Sequence, residues 1–286
     1  MPAFLVTEGR LLHELRALPE RAHRGTWVAE NGLEVVGWAE AEFEWATETD
    51  DVAWAWAGVR ADQRGRGVGR RLWDRAEAHV LAEGARELRT GVGDDPNGVR
   101  FVLARGFRHA RAERLSAVDP RAADLSELSE LQRTLEQQGF TLARLADVRE
   151  RIRDLHALYV EGAADVPADH AQTNIGYDEF IAETLGDPRL SNEGSVVIFH
   201  GDRPVSLAWL VVDLERNRAG NELTATVREY RCRGLARLAK LATIRWCAEQ
   251  GIERVVTGND STNEPMLALN ISLGYRPLFT WNEYVR

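Results

Sequence analysis

Cysteine is nearly missing from this 286-residue chain, which carries only Cys232 and Cys247. Two thiols cannot build a disulfide framework or a four-cysteine metal site. The seven histidines are scattered and none falls in an HExxH pattern, so no metal is expected. Positive charge is also short. Lys and Arg total 36 against 45 Asp and Glu, a formal net charge of −9, whereas binding to a phosphate backbone relies on clustered cations that release counterions. That balance argues against a nucleic-acid partner. No run approaches the roughly 20 apolar residues of a membrane-spanning helix. The opening MPAFLVTEGR also lacks the basic, apolar and small-residue blocks of a signal peptide. A cytoplasmic protein with no membrane partner is the expectation.

What is present is ordinary globular composition, 44% hydrophobic and 28% charged, in a chain long enough for two domains of about 100 to 150 residues. An internal repeat divides it. RGRGVGRRLWDRAEAHVLAEGARELRTGV from Arg64 returns as RCRGLARLAKLATIRWCAEQGIERVVTGN from Arg231. Arg64 and Arg231, Gly84 and Gly251, and Thr90 and Thr257 are each 167 residues apart, and Gly106 and Gly274 are 168 apart. A period this long is domain duplication and not a solenoid. Each copy reads as strand, Gly-rich turn, helix, strand, loop and helix. In the first, Ala53–Val59 is the apolar strand, and Val68, Leu72, Ala76 and Val80 recur every four residues as one helical stripe. Leu235, Leu238, Ala242 and Trp246 repeat that stripe in the second. Glu87–Val92 and Arg254–Gly258 are strand-type segments, and Leu125–Gln138 has helical propensity without Gly or Pro. The expected division is residues 1–120, a connector helix over 121–139, and residues 140–286. The fold class is α+β, or mixed α/β, twice over.

The chemistry-bearing feature is the turn RxxGxG at Arg64, Gly67 and Gly69, matched by RxxGxA at Arg231, Gly234 and Ala236. Small residues there let the backbone wrap an anion while the following helix terminus aims its N–H groups at it. No GK[ST] follows, and the acidic ribose partner of a dinucleotide fold is not evident, which disfavours ATP and NAD. A second occurrence in the same context strengthens the signal.

QRGRGVG, from Gln63 to Gly69, resembles motif A of the GNAT acetyltransferase superfamily. The likeness continues through Asn97 and Asn263 and through the endings ARGF (Ala104–Phe107) and SLGY (Ser272–Tyr275). NDSTNEPMLALNISLGY from Asn259 is similar to tandem GNAT proteins, the group that includes mycothiol synthase. The resemblance implies two tandem GNAT-like domains, each a mainly antiparallel mixed sheet with flanking helices. It also implies acetyl-CoA as co-substrate and a small-molecule amine as acceptor, in a monomer or homodimer. Pyrophosphate would lie against Arg64, Gly65, Arg66, Gly67, Val68 and Gly69, and against Arg231, Arg233, Gly234, Leu235 and Ala236. The pantetheine arm would meet Asn97, Asn259 and Asn263, and the thioester channel the backbones of Val59 and Thr226.

Strand parity from Thr226 places Thr224 and Glu222 on one side, and makes Glu222 the candidate base. The same count from Val59 meets Ala57, Ala55 and Ala53, which cannot take a proton. Glu40, Glu42 and Glu44 read as a solvated stripe. The family's usual acid, a tyrosine, would fall at Val102 and Asn270, so Asn270 holds the position without the chemistry. Tyr230, Tyr275 and Tyr284 are alternatives that read better as packing aromatics. Cys232 reads as a neutral packed thiol and not a nucleophile. The opening strand and helix of the first copy look absent, so chemistry is expected in the second. The alternative is an acyl-CoA-binding sensor, a pseudo-enzyme without transfer activity.

Overall fold

A computed structural model describes residues 5–167 and 175–286. The chain divides into two compact units. The first holds Leu18–Glu113 together with Thr280–Arg286, and the second holds Met1–Ala17 together with Arg114–Phe279. In chain order the elements are α1 (Glu8–Ala17), β1 (Gly25–Asn31), β2 (Glu34–Phe43), β3 (Val52–Val59), α2 (Val68–Ala82), β4 (Glu87–Val92) and α3 (Pro96–Leu103). Then come β5 (Arg108–Val118), α4 (Leu128–Gln137), β6 (Phe140–Arg144), α5 (Leu145–Val148), α6 (Ile152–Ala164) and α7 (Tyr177–Glu179). The chain ends with β7 (Val196–His200), β8 (Arg203–Asp213), β9 (Arg218–Thr226), α8 (Leu235–Glu249), β10 (Arg254–Asp260), α9 (Glu264–Ser272) and β11 (Arg276–Val285). Among the described residues no helix is long and apolar enough to cross a membrane.

In the first unit, β1, β2 and β3 pair antiparallel and β3 pairs parallel with β4. The far side of β4 takes residues 282–285 of β11, antiparallel, so the last residues of the chain complete the sheet that its early residues begin. Tyr284 joins the core there with Trp73, Leu88, Val102 and Phe107. Strands β2 and β3 bury alternate residues, because α2 covers one face.

The second unit orders its strands β10-β9-β8-β7-β6, with β9 and β10 parallel and the rest antiparallel. Here β8 is buried almost continuously, Pro204 to Val211, because α8 and α6 both pack against it. A strand covered on both faces keeps an unbroken apolar run instead of alternating. Helix α8 is accordingly buried well beyond one stripe, at Leu235, Leu238–Ile244 and Cys247. Helix α4, the expected connector, packs on β6 and α8 within this unit.

The opening helix α1 also belongs here. Arg10 pairs with Asp187 at 3.2 Å, and Arg189 Nη1 donates to the Leu5 carbonyl at 2.8 Å. Helix α1 is thus grouped with the second unit, far from it in sequence, and not with the first copy that follows it. Contacts between residues some 180 positions apart leave no periodic trace in sequence.

Candidate active site

Both Gly-rich turns fold alike. Gly67 and Gly234 take φ of 77° and 87° and cap α2 and α8, with no side chain on the first helical amides. The opening N–H groups of a helix have no partner within it, so each turn presents several donors to an anion with the helix dipole behind them. Each arginine that starts the motif reaches back to the end of the preceding strand. Arg64 Nε donates to the Val59 carbonyl at 3.1 Å, and Arg231 Nε to the Thr226 carbonyl at 2.9 Å. These bonds fix the turn to the strand. A Cβ on Gly67 would meet open space, and one on Gly69 would touch Val59 Cγ2 at 3.4 Å. Val68 and Leu235 begin the helices, while Arg66 and Arg233 stay on the exposed rim.

Where the first turn has Gly65 at φ 76°, the second has Cys232 at φ 59°. Its thiol is exposed, not packed as the sequence led us to expect, because the turn points this position outward. An L-residue in the left-handed region costs about 1 kcal/mol or more, partly offset by the greater freedom glycine has when unfolded. Cys232→Gly is therefore expected to stabilise the chain by about 0.5–1 kcal/mol. A lowered denaturant midpoint would contradict this.

The strands before the turns diverge from their parallel neighbours. Pairing of β3 with β4 ends at Trp54 and Arg89, although β3 runs on to Val59. Pairing of β9 with β10 ends at Asn221 and Thr257, although β9 runs on to Thr226 and β10 to Asp260. Each unit thus opens a splay that leads to its cradle.

The two splays differ in one respect. β2 pairs with β3 without interruption, whereas Trp209 and Leu210 of β8 oppose Leu223 and Asn221 of β9, which leaves Glu222 as an extra residue in a β-bulge. A bulge turns side chains out of phase and leaves a main-chain group unpaired. The parity count that put Glu222 beside Thr224 and Thr226 is therefore corrected. Ala225 and Leu223 lie against Gly162 of α6, and Glu222 Oε1 lies on the side of Gly220 and Leu5. Asn221 faces α8, where Lys240 Nζ donates to its Oδ1 at 2.8 Å. The equivalent parallel pairs Ala53–Leu88 and Ala219–Val255 make Glu222 a residue without a counterpart in β3.

Around Glu222 the second unit gathers groups that sequence reading missed. Burial, and to a lesser extent the Glu222 charge, raises the pKa of Tyr159 on α6, although a hydrogen bond to Thr184 opposes this. Burial pulls the Arg189 pKa down, but its bonds to Asp187 and the charges of Glu222, Asp187 and Glu14 raise it overall. Asp187 is held low despite its burial by Arg189 and Arg10. An exposed carboxylate thus stands at a strand bulge, within electrostatic reach of a buried tyrosine and a fixed guanidinium. These residues come from α1, α6 and the segment before β7, so no spacing in the sequence connects them.

Asn263 caps α9 and accepts from the Met266 amide at 3.3 Å. In the first unit that capping role falls to Asp95, which accepts from the Asn97 amide at 3.0 Å, so Asn97 sits two residues into the helix turn. Asn259 lies on the free part of β10 and accepts from Asn270 Nδ2 at 2.6 Å. Asn270 is buried and its Oδ1 makes no hydrogen bond. Tyr230 is near His200 at 3.3 Å, Tyr275 is buried behind Lys240, and Tyr284 belongs to the first unit's core. The segment DVPADHAQTNIGY from Asp165, a loop that could line an acceptor pocket, falls largely at residues 168–174, outside the described residues.

Lys240 is 1% exposed, and burial alone takes its pKa from 10.5 down to about 7. Between those values the unfolded chain holds a proton that the folded one does not, so stability rises with pH across this window, and the cost is largest below it. Lys240→Met is expected to remove that rise, on the order of a few kcal/mol between pH 7 and 10. Parallel denaturation curves for the two proteins over this pH range would contradict it.

Comparisons with known proteins agree with the duplicated architecture. The sequence matches the acetyltransferase (GNAT) family over residues 3–107 and 150–275. Among solved structures, a tandem GNAT protein from the clavulanic acid biosynthesis pathway superposes with a TM-score of 0.73 at 20% identity, covering 98% of this chain and 88% of its own. A GCN5-related N-acetyltransferase from Sphaerobacter thermophilus gives 0.68 at 14% identity, with 99% and 86% covered. One from Kribbella flavida gives 0.55 at 17%, with 99% and 96% covered. At these identities the likeness speaks for the fold. No curated protein matches the chain.

Proposed function

The chain belongs to the acetyltransferase (GNAT) family, an acyl-CoA-dependent N-acyltransferase of two tandem domains, and from that premise we propose that it moves an acetyl group from acetyl-CoA to a primary amine of a small molecule, with the chemistry in the second unit. The observation that carries this reading is the bulge at Glu222, one step beyond the point where β9 and β10 part. It supplies at one place what direct transfer needs: a carboxylate on the acceptor side and a main-chain amide freed from the ladder.

Acetyl-CoA would lay its pyrophosphate on the amides of Leu235 and Ala236 and extend between the splayed strands past Asn259 and Asn263. Glu222 would take a proton from the acceptor ammonium, directly or through a water. The amine nitrogen then forms its bond to the thioester carbonyl carbon, and the oxygen gathers charge near the bulged backbone. The carbon–sulfur bond breaks and CoA leaves as a thiolate or with a proton from water, since Asn270 cannot supply one. Arg189 and Asp187 hold the acceptor side in place. The first unit, whose strand offers Ala53, Ala55 and Ala57 and no bulge, would bind CoA or serve structure.

A thiol-release assay across a panel of amines tests the proposal. Turnover with at least one amine is expected. CoA binding with no turnover on any acceptor would favour the sensor reading, in which acyl-CoA is bound without being consumed.

A further inference from the structure

Where β9 and β10 part, the second unit has a buried polar cluster that its fold does not require. Lys240 Nζ gives one hydrogen bond, to Asn221 Oδ1 at 2.8 Å, and no carboxylate pairs with it among the described residues. Tyr275 places its ring 5.1 Å from the Lys240 nitrogen and its hydroxyl 3.5 Å from Asn221 Oδ1. Thr224, three residues further along β9 and across the bulge, has a buried hydroxyl with no partner. The Lys240 nitrogen and the Thr224 hydroxyl are therefore donors with unspent capacity, the first on the helix whose N-terminus forms a phosphate cradle and the second on the strand that splays from β10.

The first unit shows what this position looks like when it only packs. Trp73 stands 167 residues before Lys240, and Phe107 stands 168 before Tyr275. Ala55 takes the place of Asn221 by the parallel register. These three belong to one apolar cluster, with the Trp73 and Phe107 rings 5.6 Å apart. A buried ammonium without an anion costs more than any neutral side chain of its size. The second unit carries that cost where an acyl group lodged between the strands would end.

We propose that the inner end of the second unit's cleft selects acyl-CoA thioesters whose acyl group ends in a carboxylate, with Lys240 and Thr224 as its donors. This rests on the reading that the second unit binds acyl-CoA, and it changes which acyl group that unit prefers. A carboxylate accepts from an ammonium and from a hydroxyl, whereas an acetyl methyl accepts from neither. The groups facing the Lys240 nitrogen are Asn221 from β9 and Tyr275 from the turn after α9, with Cys247 close to Tyr275. Burial raises the pKa of both Tyr275 and Cys247, the latter to about 12, so neither supplies an anion at neutral pH. Binding of a carboxylate should therefore be accompanied by proton uptake at Lys240.

Calorimetry on the full chain with CoA, acetyl-CoA, malonyl-CoA and succinyl-CoA, at pH 8 in two buffers of different ionisation enthalpy, tests this. One of the carboxyacyl thioesters is expected to bind at least tenfold more tightly than acetyl-CoA and to take up close to one proton. Lys240→Met should abolish both effects, and Thr224→Val should weaken the preference without touching proton uptake. CoA binding that is insensitive to Gly234→Val would overturn the second-unit reading itself. CoA binding lost in Gly234→Val, with equal affinity for all the thioesters or a preference that survives Lys240→Met, would overturn this inference alone.

Discussion

Glu222→Gln is expected to lower kcat for acyl transfer by about 10²- to 10⁴-fold, the range a positioned acid–base group contributes. Glutamine keeps the length and polarity of the side chain, so the bulge, which is set by the register of β8 against β9, should persist. What is lost is the basicity of the carboxylate, since an amide oxygen accepts hydrogen bonds but does not take the ammonium proton. The acyl-CoA cradle lies at the head of α8 and does not involve Glu222, so KM for acyl-CoA should move by less than about threefold. Unaltered turnover in this variant would remove Glu222 from the mechanism, whatever happened to binding.

Gly234→Val should weaken acyl-CoA binding by about 100-fold or more, through two costs on one residue. A β-branched residue at φ 87° is strained by roughly 1–3 kcal/mol, and its Cβ would press on Leu131 Cδ1 at 3.4 Å. Relief of that strain turns the first amides of α8 away from the phosphate, and each lost hydrogen bond to a charged group is worth about 1.5–3 kcal/mol. Calorimetry with CoA measures the effect directly. The equivalent change at Gly67 has the same conformational cost but acts on the other cradle. It should leave turnover largely intact.

Parts of this architecture that depend on near neighbours in the chain were legible from sequence. The Gly-rich turns could be read because Gly67 and Gly234 meet a local conformational demand, and the helices that follow because Leu72, Ala76 and Val80 line one buried face. The 167-residue offset marks two copies of one plan within the chain. Parts that depend on distant pairing were not. The bulge at Glu222 is a register event between two strands, and nothing in RAGNELTAT marks it, which is why counting by twos put the carboxylate on the wrong side of the strand. The grouping of α1 with Asp187 and Arg189, and of residues 282–285 with β4, joins the two ends of the chain to units that lie elsewhere in the sequence. Lys240 escaped notice because α8 is buried nearly all round, so the stripe of Leu235, Leu238 and Ala242 describes only part of what the helix covers.

The proposal stands on acyl-CoA docking at the N-terminus of α8. Following backbone amide resonances during a CoA titration of the intact protein tests it most directly. Leu235 and Ala236 should shift saturably, with a dissociation constant that agrees with CoA inhibition of turnover. Shifts confined to Val68 and Gly69, with Leu235 and Ala236 unmoved at saturation, would place the working cradle in the first unit and contradict the account.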